Sequence, residues 1–436
     1  MVANIPKTEL ERIVVIGGGF AGIEFAKKIS DKKFQVILLD KQNFHQFQPL
    51  FYQVATAGLE PSAISFPFRK LFQNRKNFHL RVTQVAGIDT ANQEVYTDIG
   101  IIPYDKLVIA IGTTTNFYEN VQLSQHCLPL KSTGEALNIR NTLFTTLEKA
   151  VQTSNIKIKK KHLTIVIVGG GPTGVEVAGS LADMRRYILP KDYPEINFEE
   201  MDIYLIESSP RVLNAMKDHA SSKATLYLKN LNVKVLTGTR VASYDGNSVI
   251  LNNGEQIETS TVIWAAGVIG NSIKGIEPEL ILPSNRIKVN RYNQVESYTN
   301  VFALGDIASM SEGTSYPAGH PQVAQVAIQQ ARLLGKNISA KTKKEWKEFT
   351  YSDLGSMATI GRNLAVVEFP TMKFSGFFAW CIWMFVHLMS LVGTKNKLQT
   401  LFNWVWSYFS YDQSLRLIIN SVKKIETIEE NREKTI

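Results

Sequence analysis

Six glycines in two clusters carry the clearest chemical signal in this chain. Gly17-x-Gly19-x-x-Gly22 and Gly169-x-Gly171-x-x-Gly174 each follow an apolar run and open a helix-like stretch. Glycines at this spacing let a backbone approach a pyrophosphate, and the helix behind them offers free N–H groups and a positive dipole end. An acid completes each pattern. Asp40 stands eighteen residues beyond Gly22, where a strand-end carboxylate accepts from ribose hydroxyls. Glu207 stands thirty-three residues beyond Gly174, about a dozen more than is usual. The excess falls in residues 185–200, whose two prolines read as an insertion between helix and strand. An acid at that strand end repels a 2′-phosphate and favours NADH over NADPH, while the nearby Arg211 works against that preference. A tight turn holding no ligand is the competing reading of each loop, and the acids argue against it.

Other residue types narrow the chemistry. Glu176, two residues past Gly174, reads on its position alone as a first-turn helix acid favoured by the dipole. Gln325 and Gln329 are spaced i, i+4, so a helix puts both amides on one face. Neutral donors of this kind hold a carbonyl in an apolar pocket without burying a charge; two solvated glutamines on an amphipathic helix are the competing reading. Only two cysteines occur, Cys127 and Cys381, 254 positions apart. That excludes a C-x-x-C redox pair and a zinc spacing, so no metal is expected and each thiol reads as a small buried residue.

These residues need strands and helices to present them. The chain has 436 residues, 44% apolar and 20% charged, which predicts two or three folded domains and excludes disorder and disulfide scaffolds. Residues 12–24 (RIVVIGGGFAGIE) and 164–176 (TIVIVGGGPTGVE) form an internal repeat, each half the start of a βαβ unit. Further apolar runs at 107–111, 262–266 and 301–304 end in glycine and read as closing strands. The fold class is therefore α/β with two Rossmann-like units. A flavin and a nicotinamide dinucleotide would face each other, since two nicotinamides have no use for one another. No secretory or transit pattern precedes the first strand, so a reducing compartment is expected.

Together the motifs resemble the two-dinucleotide-binding-domain flavoproteins and, within them, the type II NADH:quinone oxidoreductases. The resemblance rests on VVIGGGFAGIE (14–24), HQFQPLFYQVATAGL (45–59), IVIVGGGPTGVEVAGSLADM (165–184), WAAGV (264–268), FALGDIA (302–308), AQVAIQQA (324–331) and FSGFFAWCIWMFVHL (374–388). It implies an FAD-binding domain in two parts, 1–128 and 286–340, around an NADH-binding domain at 129–285, with a membrane-associating helical region at 341–436. It implies non-covalent FAD on Gly17, Gly18, Gly19, Phe20, Ala21 and Gly22, with Asp40, Lys41 and Val85 at the adenosine end. Gly112, Asp306, Ala324 and Gln325 would complete that site; a helix cap is the competing role for Asp306. NADH, as co-substrate, would meet Gly169, Gly171, Thr173, Gly174, Glu207, Ala266 and Gly267. Glu176 would be catalytic, near the nicotinamide and flavin, orienting the cofactor or relaying protons, and Gln325, Gln329, Pro49 and Leu50 would meet the quinone. His45 and Phe47 would line the same region, with a structural role the alternative for His45. The implied activity passes hydride from NADH to FAD and then two electrons to quinone without proton pumping. Reduction of another acceptor, or a flavin-loaded redox sensor, is the alternative.

The tail differs in character. Residues 374–394 carry no charge, and as one helix they would run about 31 Å, the depth of a bilayer core. Trp380 and Trp383 stand in mid-segment, where a spanning helix disfavours them, and 398–409 is too short to cross. Six basic residues against Asp412 between 373 and 424 supply +5 of the net +9. Aromatic and cationic together, the tail reads as helices lying in the lipid interface, with a spanning helix or a core or dimer contact as alternatives. It is expected to be removable without loss of FAD. The cytoplasmic face of the cell membrane is the implied location, with the bilayer surface and a second copy of the chain as partners. Nucleic acid is not expected, because the basic residues cluster with tryptophans and no recognised module appears.

Overall fold

The computed structural model describes residues 1–411 and 415–419, so Asp412 and the basic residues beyond 419 lie outside the described residues. The first unit opens with β1 (Glu11–Ile16), α1 (Phe20–Lys28), β2 (Phe34–Asp40), β3 (Phe78–Val82) and β4 (Lys106–Ile109). The chain then builds a second sheet from β5 (Leu128–Pro129), β6 (Thr164–Val168), β7 (Asp202–Glu207), β8 (Lys234–Thr237) and β9 (Thr261–Trp264), and returns to the first as β10 (Val301–Ala303). The strand orders are β10-β4-β1-β2-β3 and β5-β9-β6-β7-β8, parallel throughout. Both faces of such sheets are covered, which is why Ile13, Val14, Val15 and the run 36–39 are apolar without alternation and fully buried. In each order the glycine-loop strand has its successor on one side and a later strand on the other. That reversal opens a crevice at the strand ends, where ligands of this fold class bind.

Four further helices frame the crevices: α2 (Phe51–Ala55), α3 (Thr133–Gln152), α4 (Pro172–Tyr187) and α5 (Ala324–Ser339). The expected insertion at 185–200 is the last turn of α4 followed by a one-turn helix at Leu189–Asp192 and a 3-10 turn at Phe198–Glu200. Beyond α5, strands β11 (Ser356–Thr359), β12 (Ala365–Glu368) and β13 (Lys373–Ser375) form an antiparallel sheet, followed by α6 (Phe377–Ser390) and α7 (Thr394–Ser410).

The tail agrees with the sequence reading in one respect and departs from it in another. Its charge-free run is not one helix, because residues 391–393 break it and Gly393 takes φ +87°. Among the described residues no helix is long and apolar enough to cross a membrane. Nor is the tail an appendage. Trp383 is 1% exposed and joins Ala379 and Leu391 in the same core as α3 and α4. Asn396 at the start of α7 is buried, and its amide donates to the carbonyls of Ser62, Ala63 and Ser65. Cutting before Phe374 would remove a core tryptophan and two of the three residues of β13, so the expectation of a removable tail does not hold.

Candidate functional site

Two clefts of about 560 Å³ open at the two crevices. The first is lined by Gly17, Gly19, Phe20, Ala21 and Asp40 from the first unit, Gly112 and Asp306 beside β4 and β10, and Ala324 at the start of α5. The second is lined by Gly169, Gly171, Glu207 and Ala266, with Phe117 and Trp264 forming an aromatic wall. Thr173 and Gly267, expected on the nicotinamide side, line the first cleft together with Glu176, so the two loops converge there.

The two glycine loops are built alike. A Cβ on Gly22 would run into the Gly17 carbonyl, and one on Gly174 into the Gly169 carbonyl, so these glycines serve helix–strand packing. Gly18 is closed off by the Phe68 ring. A Cβ on Gly19 or on Gly171 would meet nothing within 4 Å. The middle glycine of each loop thus faces open space at a helix N-terminus, as a pyrophosphate requires. Each acid pins its loop: Asp40 Oδ2 accepts from the Gly18 N–H at 2.6 Å, and Glu207 Oε2 from the Gly170 N–H at 2.5 Å. Burial raises the Asp40 carboxyl, opposed by N–H bonds from Gln42 and Gly18.

Several expected contacts lie elsewhere. Lys41 is exposed, Val85 is half-buried at the start of a strand, and neither lines the first cleft. Leu50 is fully buried in the core, leaving Pro49 with Phe51 and Tyr52 at the cleft wall. His45 and Phe47 are buried behind Phe20; His45 Nδ1 donates to the Gly18 carbonyl, which supports its structural reading. Arg211 is bound to Asp218 and to the Met216 carbonyl, so it is withdrawn from the second cleft, and Arg240 is the cation bordering it.

The glutamine pair has partners that its spacing did not announce. The Gln325 amide donates to the Gly355 carbonyl (3.1 Å) and accepts from the Leu354 N–H (2.9 Å). Gln329 does the same with both backbone groups of Ser352 (2.8 and 3.1 Å). Both amides do share one face, and each commits its oxygen and one of its two N–H groups to the incoming segment 352–355. Gln325→Leu and Gln329→Leu should therefore lower thermal stability, by about 1 kcal/mol per lost bond. Quinone reduction should fall only as far as β11 loosens. A variant with unchanged melting but slowed quinone reduction would return the pair to direct contact.

Other cleft residues carried no sequence signal. Thr113 Oγ1 donates to Asp306 Oδ2 and accepts from Lys131 Nζ, both at 3.1 Å. Lys131 is held by the cap of α3, where Ser132 accepts from the Glu135 N–H and Glu135 from the Lys131 N–H. That capping box is legible in the sequence; the direction of the lysine is not. Met357 and His387 reach the first cleft from the C-terminal sheet and α6. His387 Nδ1 lies 2.8 Å from the Trp383 carbonyl, which can only accept, so Nδ1 carries the proton.

Glu176 is 7% exposed, and burial pushes its carboxyl up to about 8 against a long bond from the Thr359 N–H (3.5 Å). The Trp383 indole N–H approaches it without reaching hydrogen-bond geometry. Beyond this wall lies a third cavity of about 130 Å³, lined by Tyr52, Asp183, Thr359, Trp380, Trp383 and Trp404 among others. Cys127 is buried, and burial pushes its thiol up to about 12; both cysteines are free.

Comparison with known proteins agrees with this geometry. Residues 11–331 match the pyridine nucleotide-disulphide oxidoreductase family, and residues 354–410 match the NDH2 C-terminal domain. The chain is 32% identical over 415 residues to a type II NADH:quinone oxidoreductase of Mycobacterium tuberculosis, covering 92% of this chain and 88% of that one. It is 26% identical to the type II NADH:quinone oxidoreductase of Haemophilus influenzae, covering 84% and 88%. The NDH2 structure from Plasmodium falciparum superposes with a TM-score of 0.87 at 21% identity, covering 94% of this chain and all of that one. The sulfide:quinone oxidoreductase of Aquifex aeolicus gives 0.72 at 19% identity, covering 94% and 96%.

Proposed function

The chain belongs to the type II NADH:quinone oxidoreductases, and from that premise we propose how its own residues divide the reaction. The activity is FAD-dependent transfer of electrons from NADH to a quinone. The first cleft takes FAD and the second NADH, and one observation carries the presence of a dinucleotide in each: the middle glycine of each loop faces open space beside a pinned acid. FAD supplies a two-electron carrier between NADH and quinone. Asp40 accepts from ribose hydroxyls while holding its loop, and Asp306, Thr113 and Lys131 form the polar wall. The free N–H groups at the start of α5, at Ala324 and Gln325, favour negative charge at the cleft end they face. Glu176 is protonated at neutral pH and is the proton donor for the quinone. The quinone enters from the C-terminal side, against Pro49, Met357 and His387. The exposed apolar face of α6 and α7 rests on the bilayer, at the cytoplasmic side of the cell membrane.

The test is spectroscopic. NADH should bleach the flavin of the purified protein, and a soluble short-chain quinone should restore it. A flavin that NADH leaves oxidised would sink the assignment. NADPH should be slower, because Glu207 accepts from ribose hydroxyls in charge-assisted bonds worth about 1.5–3 kcal/mol. Glu207→Gln should narrow the ratio of kcat/KM values, and Arg211→Ala should leave it unchanged, since Arg211 is bound elsewhere. A ratio moved by Arg211→Ala would assign the phosphate to that residue after all.

A further inference from the structure

NADH, one proton and one quinone give NAD⁺ and the quinol, so each turnover draws one proton from water into the site. Glu176 is buried, and its proton needs a route in. Tyr52 stands in that route: its side chain borders both the first cleft and the aromatic cavity and is 5% exposed. Its hydroxyl accepts from Gln53 Nε2 at 2.8 Å, which leaves its own proton free to donate. Tyr52 shares the first cleft with Glu176 and the aromatic cavity with Asp183. Asp183 follows Glu176 by seven residues on α4, two turns and about 10 Å along one face. Its Oδ2 accepts from the Arg362 N–H at 2.6 Å, and among the described residues no side-chain cation is bonded to it. The Arg362 guanidinium is engaged instead by the Ser407 and Tyr408 carbonyls of α7. The cavity between these groups has room for several waters by the usual measure of about 10–15 Å³ each.

We propose that Asp183 and Tyr52, bridged by water in the aromatic cavity, form the path by which protons reach Glu176 for quinone reduction. The inference rests on the reading of Glu176 as donor. Asp183 passes a proton through water to the Tyr52 oxygen, Tyr52 gives its own to Glu176, and Glu176 gives one to the quinone oxygen. Water at the outer end restores Asp183. Burial holds the Asp183 carboxyl at about 7, so it exchanges protons near neutrality, opposed by its bond from the Arg362 backbone and by the charges of Arg362 and Arg186. The phenols of Tyr187, Tyr408 and Tyr411 and the Arg362 side chain also line the cavity. Ser180, between the two carboxyls on α4, is paired with Thr56 Oγ1 at 2.7 Å.

The test separates the half-reactions in Tyr52→Phe and Asp183→Asn, both close in shape to the native residues. Flavin bleaching by NADH should stay near wild type, as should turnover with ferricyanide, which takes electrons without protons. Reoxidation by a soluble quinone should slow at least about tenfold in each variant, with the double variant no slower than either. Asp183→Glu should recover most of the rate. Infrared titration of the holoenzyme should show two buried carboxyl bands, one lost in Asp183→Asn and the other in Glu176→Gln. Wild-type reoxidation in Tyr52→Phe at every pH, or a defect confined to the quinone KM, would overturn the path; the second would make Tyr52 a quinone contact. Wild-type quinone reduction in Glu176→Gln would remove the donor reading itself.

Discussion

Gly19→Val should give a folded protein without yellow colour and without NADH oxidation. Gly19 caps α1 with φ −69° and ψ −166°, an extended backbone that any residue adopts. A side chain there meets no protein atom within 4 Å, so the native packing is left alone and only the cleft is filled. The pyrophosphate then has no place to approach the helix N-terminus. Gly17→Val makes the contrast, because Gly17 holds φ +99° and its Cβ would run into the Ala110 carbonyl; that variant should not fold. Gly171→Val should remain yellow but fail to bleach with NADH. The measurements are the flavin-to-protein ratio, the thermal midpoint and the absorbance change on adding NADH. A yellow, active Gly19→Val protein would show that the dinucleotide lies elsewhere.

Replacing Phe377, Phe378, Phe402 and Phe409 by serine should detach the protein from vesicles while leaving its flavin and its ferricyanide activity intact. These side chains are 55–79% exposed, with Met389, Leu398 and Trp406 beside them, an apolar face that water disfavours. Each phenylalanine contributes about 1.5–3 kcal/mol when fully buried, against about 1 kcal/mol for each lysine near an anionic surface. Salt should therefore weaken vesicle binding without abolishing it, and the loss of four rings should abolish it. Turnover with a membrane-embedded quinone should fall with binding. If the wild type sediments as a dimer that the substitutions separate, and vesicle binding is unchanged, the face joins two copies of the chain instead of meeting lipid. Truncation before Phe374 cannot serve as the test, because it also removes Trp383 from the core.

The sequence alone determined the two parallel units, their glycine loops and the acids that close them. Those features are local: a strand, a turn and a helix N-terminus within some thirty residues specify what they can hold, and the apolar runs of doubly covered strands repeat the same signal. Tertiary structure decided which polar atoms were left free. Gln325 and Gln329 share a helix face as their spacing required, yet a segment more than twenty residues downstream occupies both amides. Arg211 was near Glu207 in sequence, but Asp218 and a loop carbonyl hold it away. Trp383 looked like a lipid-facing residue because its neighbours are apolar all round, and only the packing of α6 on the core shows which side of that helix is dry. The same packing brings Tyr52, Asp183 and His387 around Glu176 from separate elements. A donor or a charge is available to a ligand only where no other part of the chain has reached it first, and that is a property of the folded molecule, not of spacing along the chain.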